Sequence, residues 1–179
     1  MKSEGIKIML ETERLKLNKS QLFSHFFVIL FILILPTLCF YTIFKIEVLG
    51  SIEFKTTQEL LYMSIPWLIL AIVFLIIQYY RLNFIKINKK VTGEDFIRII
   101  QITGKERNWK ILILTNDYSV ARRGFNWTGS WGERITIIRK ENEILINSIC
   151  DPDKRSSLSS WGQNKKNIKA FEKNLNTLS

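Results

Sequence analysis

The chain has 179 residues, 47% of them hydrophobic, and 26 Lys and Arg against 16 Asp and Glu give a formal net charge of +10. That length excludes more than one ordinary domain once membrane segments are set aside. A single histidine and two distant cysteines, Cys39 and Cys150, leave no metal motif and no disulfide framework, so two free thiols are expected. The 28 Ile, 17 Lys and 12 Asn have A/T-rich codons and point to a bacterium with an A/T-rich genome.

Charge is sharply partitioned along the chain. Residues 1–21 hold five Lys and Arg against three acids and read as a cytosolic N-terminal segment. Residues 22–44 carry no charge, and sixteen of these 23 are Leu, Ile, Val or Phe. About 20 apolar residues suffice to cross a bilayer as a helix. The run is too long for the apolar region of a cleaved signal peptide, and no A-x-A-like site follows it. Pro36 is expected to kink this helix, and His25, near its start, to sit at the interface.

Residues 45–60 form a short connecting loop. The second run, LYMSIPWLILAIVFLIIQYY (61–80), is again uncharged and long enough to span, with Arg81 closing it. Pro66 is placed in its first turn, where a missing N–H costs little. Tyr41, Tyr62 and Trp67 anchor one interface, and Tyr79, Tyr80 and Arg81 the other. The connecting loop has only two Lys, whereas Arg81, Lys86, Lys89 and Lys90 follow the second run. Both termini are therefore predicted to be cytoplasmic, in a multi-pass protein of the cell inner membrane. The absence of ionisable side chains within the spans argues against an ion pathway through one chain.

Residues 82–179 hold 18 Lys and Arg against 10 Asp and Glu and form the cytosolic domain. Alternation over 83–90 predicts a strand. Thr92 and Asp95 resemble a capping box opening a helix over 93–103, which Gly104 ends. WKILILT (109–115) and YSVARRGF (118–125) make one hairpin, and RITIIRK (134–140) and ILINSIC (144–150) a second. Asp151-Pro152-Asp153 stops the sheet. Residues 163–178 form a helix with Ile168, Phe171, Leu175 and Leu178 on its apolar face and Lys and Asn on the other. The fold class is a membrane α-helical hairpin plus an α+β domain, β-α-β-β-β-β-α, with a mainly antiparallel sheet and two helices.

The runs WGERITI, ILINSICDP and SWGQNKKNI resemble the ends of small uncharacterised bacterial membrane proteins with a strand–strand–helix tail. The layout also resembles bacterial membrane proteins bearing pleckstrin-homology-like domains. This chain departs from theirs in its early helix and in having fewer than seven visible strands.

Candidate binding residues cluster late in the chain. Trp127 and Trp131 lie among three glycines in the loop 124–134, beside Arg122 and Arg123. That arrangement forms a binding concavity, or else Trp127 and Trp131 cap the open end of the sheet or touch the headgroup region. Arg155, Trp161, Lys165 and Lys166 surround four serines at the start of the last helix, whose N–H groups suit an anion. No catalytic set, cofactor motif or nucleic-acid-binding pattern is visible, and the basic charge suits an anionic inner leaflet. The expected function is a non-enzymatic membrane module whose basic domain binds a partner protein or the inner-leaflet surface. Two alternatives are an immunity or stress protein acting through its hairpin and an enzyme at the membrane surface.

Overall fold

A computed structural model of the chain describes residues 2–52, 54–125, 131–154, 160 and 162–177. Its elements in chain order are α1 (Lys2–Thr12), α2 (Lys19–Ile32), α3 (Ile34–Leu49), α4 (Thr57–Tyr80), β1 (Ile85–Ile87), α5 (Gly93–Arg107), β2 (Trp109–Leu114), β3 (Tyr118–Arg123), β4 (Glu133–Arg139), β5 (Ile144–Cys150) and α6 (Gln163–Thr177).

Strands β2 to β5 form an antiparallel meander, and β1 returns to the outer edge of β5, giving the order β1-β5-β4-β3-β2. The fold is α+β. Alternation along the strands sends Ala121, Ile135, Ile137, Ile144 and Ile146 to one face, where Phe96, Ile99 and Ile100 of α5 and Phe171 and Leu175 of α6 cover them. Thr92 caps α5 by accepting a hydrogen bond from the Asp95 amide at 3.1 Å. The helix does not stop at Gly104. It runs to Arg107 and closes on Asn108 in a left-handed conformation, φ 54°. Gly104 lies within the helix, where a Cβ would make only an ordinary contact with Ile111 at 3.4 Å.

The second face of the sheet is covered by the N-terminal segment, which is not a free tail. Met9 and Leu15 pack with Leu82, Phe84, Ile138, Leu145 and Ile149. Residues 13–15 also run antiparallel to 82–84. The Leu15 amide donates to the Leu82 carbonyl at 2.7 Å, and the Phe84 amide donates to the Glu13 carbonyl at 2.9 Å. The chain leaving α4 is thus clasped from both sides before β1 begins.

Between helices α2 to α4 the polar His25, Ser64 and Gln78 are buried together with the apolar Ile29, Ile32, Cys39, Leu60 and Ala71, while many large Phe, Leu, Ile and Val side chains are exposed along the outer faces. His25 is buried against the last turns of α4, its Nε2 3.0 Å from the Gln78 carbonyl oxygen. Helix α4 is long and apolar enough to cross a membrane, and only 17% of its most apolar stretch is buried. At 24 residues it is about 36 Å long. Thr56 and Glu59 form its capping box, so Pro66 lies in its interior and not its first turn.

Helices α2 and α3 meet the same criterion only as a pair, bent by 51° at the break between them. The cause is Pro36, which has no N–H to donate to the Ile32 carbonyl. It therefore sits in the first turn of a new helix, where that loss costs little. Helix α3 continues to Leu49, which leaves a connection of 50–56, shorter than expected.

Candidate functional site

The end of the sheet that faces the apolar helices holds most of the domain's polar contacts. Its level relative to those helices is fixed by hydrogen bonds. The Asn147 side chain donates to the Arg81 and Asn83 carbonyls at 2.9 and 2.8 Å. Gln21 Nε2, in the first turn of α2, donates to Asp153 at 2.9 Å.

Strand register lines up Trp109, Arg123, Glu133 and Cys150 across this end, on the face covered by α5 and α6. Asn167, fully buried on α6, accepts from the Trp109 indole N–H at 3.2 Å and from Arg107 Nε at 3.4 Å. Its own amide donates to Ser148 at 3.2 Å. Gln163 Oε1 accepts from Arg107 at 3.1 Å and from Arg123 at 2.8 Å. Burial, together with the neighbouring Arg123 guanidinium, pushes the Arg107 pKa down from its ordinary value. Arg123 also lies 3.5 Å from the buried Glu133 carboxylate. On the opposite face, Arg122 pairs with the buried Asp151 at 3.3 Å and with Asp153.

The expected site residues therefore separate. Arg122 and Arg123, adjacent in sequence, point to opposite faces, and each neutralises a buried carboxylate. Lys165 and Lys166 are exposed on the first turns of α6. Lys165 lines a cavity of about 390 Å³ shared with Tyr80, Arg81 and Asn147. The start of α6 is already capped. Gln163 N donates to the Ser160 carbonyl at 2.9 Å and Asn164 N to Ser160 Oγ at 3.2 Å, which uses two donors an anion would need. Trp131 is exposed and packs on Phe125 with ring centroids 5.5 Å apart. Trp127, Arg155 and Trp161 lie outside the described residues.

Asn167 and Asn174 belong to the inner face of α6, not the outer one. Asn174 donates to Thr103 and Glu106 at 3.1 and 2.9 Å. The signal was present in the sequence, because Gln163, Asn167 and Asn174 follow the same helical spacing as the apolar stripe. Arg107 and Trp109, at the end of a helix and the start of a strand, carried no such signal.

A larger cavity, of about 730 Å³, opens at the far end of the sheet beside Lys89, Lys90, Asp95 and Glu141. Two of its cations bond the backbone: Lys89 donates to the Leu175 carbonyl at 2.6 Å and Arg139 to the Val91 carbonyl at 3.0 Å. Among the described residues no group of three or more His, Cys, Asp or Glu is placed to hold a metal ion. Cys150 and Asp151, successive residues of an extended chain, point to opposite faces of the sheet, and no described cavity gathers either with Arg122 and Trp131.

Gly132 is the backbone pivot of this end, with φ 118°. A Cβ there would lie 2.7 Å from the Arg123 carbonyl oxygen. Gly132→Ala is expected to cost about 2 kcal/mol and to shift the β3–β4 connection. Denaturant unfolding of the full chain in detergent measures the first effect, and Trp131 emission the second.

The chain matches no protein-family model and no curated protein.

Proposed function

We propose that the chain is a non-enzymatic integral membrane protein. Its bent pair α2–α3 and its helix α4 cross the inner membrane as a hairpin with both termini in the cytosol. The basic α+β domain is held against the inner leaflet, where it binds anionic headgroups or a partner protein.

The observation that carries this reading is the continuous exposure of bulky apolar side chains along the outer faces of α2 to α4, while the polar Ser64, Gln78 and His25 are buried with Ile29, Ile32 and Leu60 inside. Water penalises that arrangement at about 25 cal/mol per Å² of apolar surface, and lipid does not. The charge pattern adds support. Around the ends of the apolar helices, Lys16, Lys19, Lys154 and Lys165 are exposed, while Asp151 and Glu133 are buried against arginines. The net field at that level is positive, and an anionic leaflet attracts it by about 1 kcal/mol per nearby cation.

The test is what copurifies with the full chain in mild detergent. The wild type should retain anionic phospholipid or a specific protein. The triple variant Lys154→Glu, Lys165→Glu, Lys166→Glu should lose it without losing its fold. Identical copurification by both would contradict the basic-surface reading.

A further inference from the structure

Phe125 and Trp131 are the two exposed aromatic side chains of the sheet domain among the described residues, 54% and 46% accessible, and they stack on each other. They stand at the two ends of the β3–β4 connection, beyond the Arg123–Glu133 pair that closes the ladder.

Their level follows from the bonds around them. The Asp151 amide donates to the Gly132 carbonyl at 2.9 Å, and Asp153, two residues on, accepts from Gln21 at 2.9 Å. Gln21 is the residue before the apolar run of the first helix. The connection therefore leaves the sheet on the side from which the apolar helices depart. The exposed Lys154 is close by, its Nζ within 3.1 Å of where a Gly132 Cβ would stand.

Paired aromatics beside lysines, at the depth where helices exit, match the chemistry of the headgroup region. There, aromatic rings sit at the boundary and cations face anionic lipid. A bilayer is favoured over a protein partner because the apolar helices depart from this same end of the sheet.

We propose that Phe125 and Trp131 make a third point of contact with the bilayer. Phe125 and Trp131 enter the headgroup region of the leaflet from which α2 and α4 emerge, and the lipid they meet is anionic. This inference rests on the membrane-hairpin reading and names the surface the domain binds.

The experiment uses the full chain in nanodiscs, with Cys39→Ala and Cys150→Ala and one nitroxide-labelled cysteine at a time. The labelled variants are Phe125→Cys, Trp131→Cys, Ile69→Cys and Asn142→Cys. Oxygen reports lipid exposure and a nickel chelate reports water. In discs containing phosphatidylglycerol, positions 125 and 131 should lose nickel accessibility relative to position 142, and more so than in phosphatidylcholine alone. Nickel accessibility at 125 and 131 equal to that at 142, with position 69 in lipid, would overturn the inference, leave the hairpin standing and free this surface for a protein partner. Position 69 in water would overturn the hairpin itself. Equal protection in both lipids would overturn the anionic requirement.

Discussion

Asn167→Leu is expected to lower the stability of the sheet domain by about 3 kcal/mol, the sum of buried groups it leaves without partners. The side chain is fully buried and joins three elements: Trp109 and Arg107 donate to its oxygen, and its nitrogen donates to Ser148. A leucine of similar size fills the space but satisfies none of these groups. Stranded buried polar groups each cost about 1–3 kcal/mol, and partial access of water to Arg107 moderates the total. Asn167→Asp keeps the acceptor and adds a charge opposite to Arg107, so its loss should be less than half as large. Urea unfolding of the full chain in detergent, followed by tryptophan emission, distinguishes the two variants.

The second large effect lies in a segment that reads as a tail. Leu15→Asp is expected to cost about 4 kcal/mol, because it removes a buried leucine and places a carboxylate in an apolar layer. Leu15 is 5% exposed, and its amide bonds the Leu82 carbonyl, so the whole 13–15 strap should loosen with it. Once it does, Ile138, Leu145 and Ile149 lose their cover on the second face of the sheet. Lys16→Asp, one residue on and exposed, should change stability by no more than about 0.5 kcal/mol. Limited proteolysis between α4 and β1 gives an independent readout, since cleavage there requires the strap to open.

What the sequence made legible follows from periodicity. Strands β2 to β5 alternate or run apolar between clear turns, and all four are found within a residue or two of their expected positions. Helix α6 was equally plain, but the pairing of Asn167 with Trp109 was not. A buried asparagine is identified by its partners, and two of them, Trp109 and Arg107, lie 58 and 60 residues away in the chain. The N-terminal helix escaped for a related reason. Ile6, Met9 and Leu10 do recur at helical spacing, yet a pattern of three carries little weight until the sheet face they cover is known. Gly104 does not end its helix, which continues to Arg107, and Asn108 supplies the left-handed cap. For the binding surface, composition pointed to Arg122 and Arg123, which turn out to neutralise internal carboxylates. Lys165 and Lys166, which the sequence also singled out, are exposed, as is Lys154, which it did not.

These contacts make the hairpin and the domain one mechanical unit. Asn147 holds the exit of α4, Arg14 lies 3.6 Å over the Tyr79 ring, and Gln21 ties α2 to the loop after β5. On the proposed membrane crossing, a domain fixed this closely to its helices would be held at high local concentration against the leaflet.

The central claim is the double crossing with the sheet domain inside, and side-specific thiol labelling tests it most directly. In a Cys39→Ala, Cys150→Ala background, single cysteines are placed at Ile52, in the connection between α3 and α4, and at Asn142, in the far turn of the sheet. A membrane-impermeant maleimide applied to intact cells should label position 52 at once and position 142 only after permeabilisation. Labelling of 142 from outside, or protection of 52 until the cells are opened, would contradict the proposed topology.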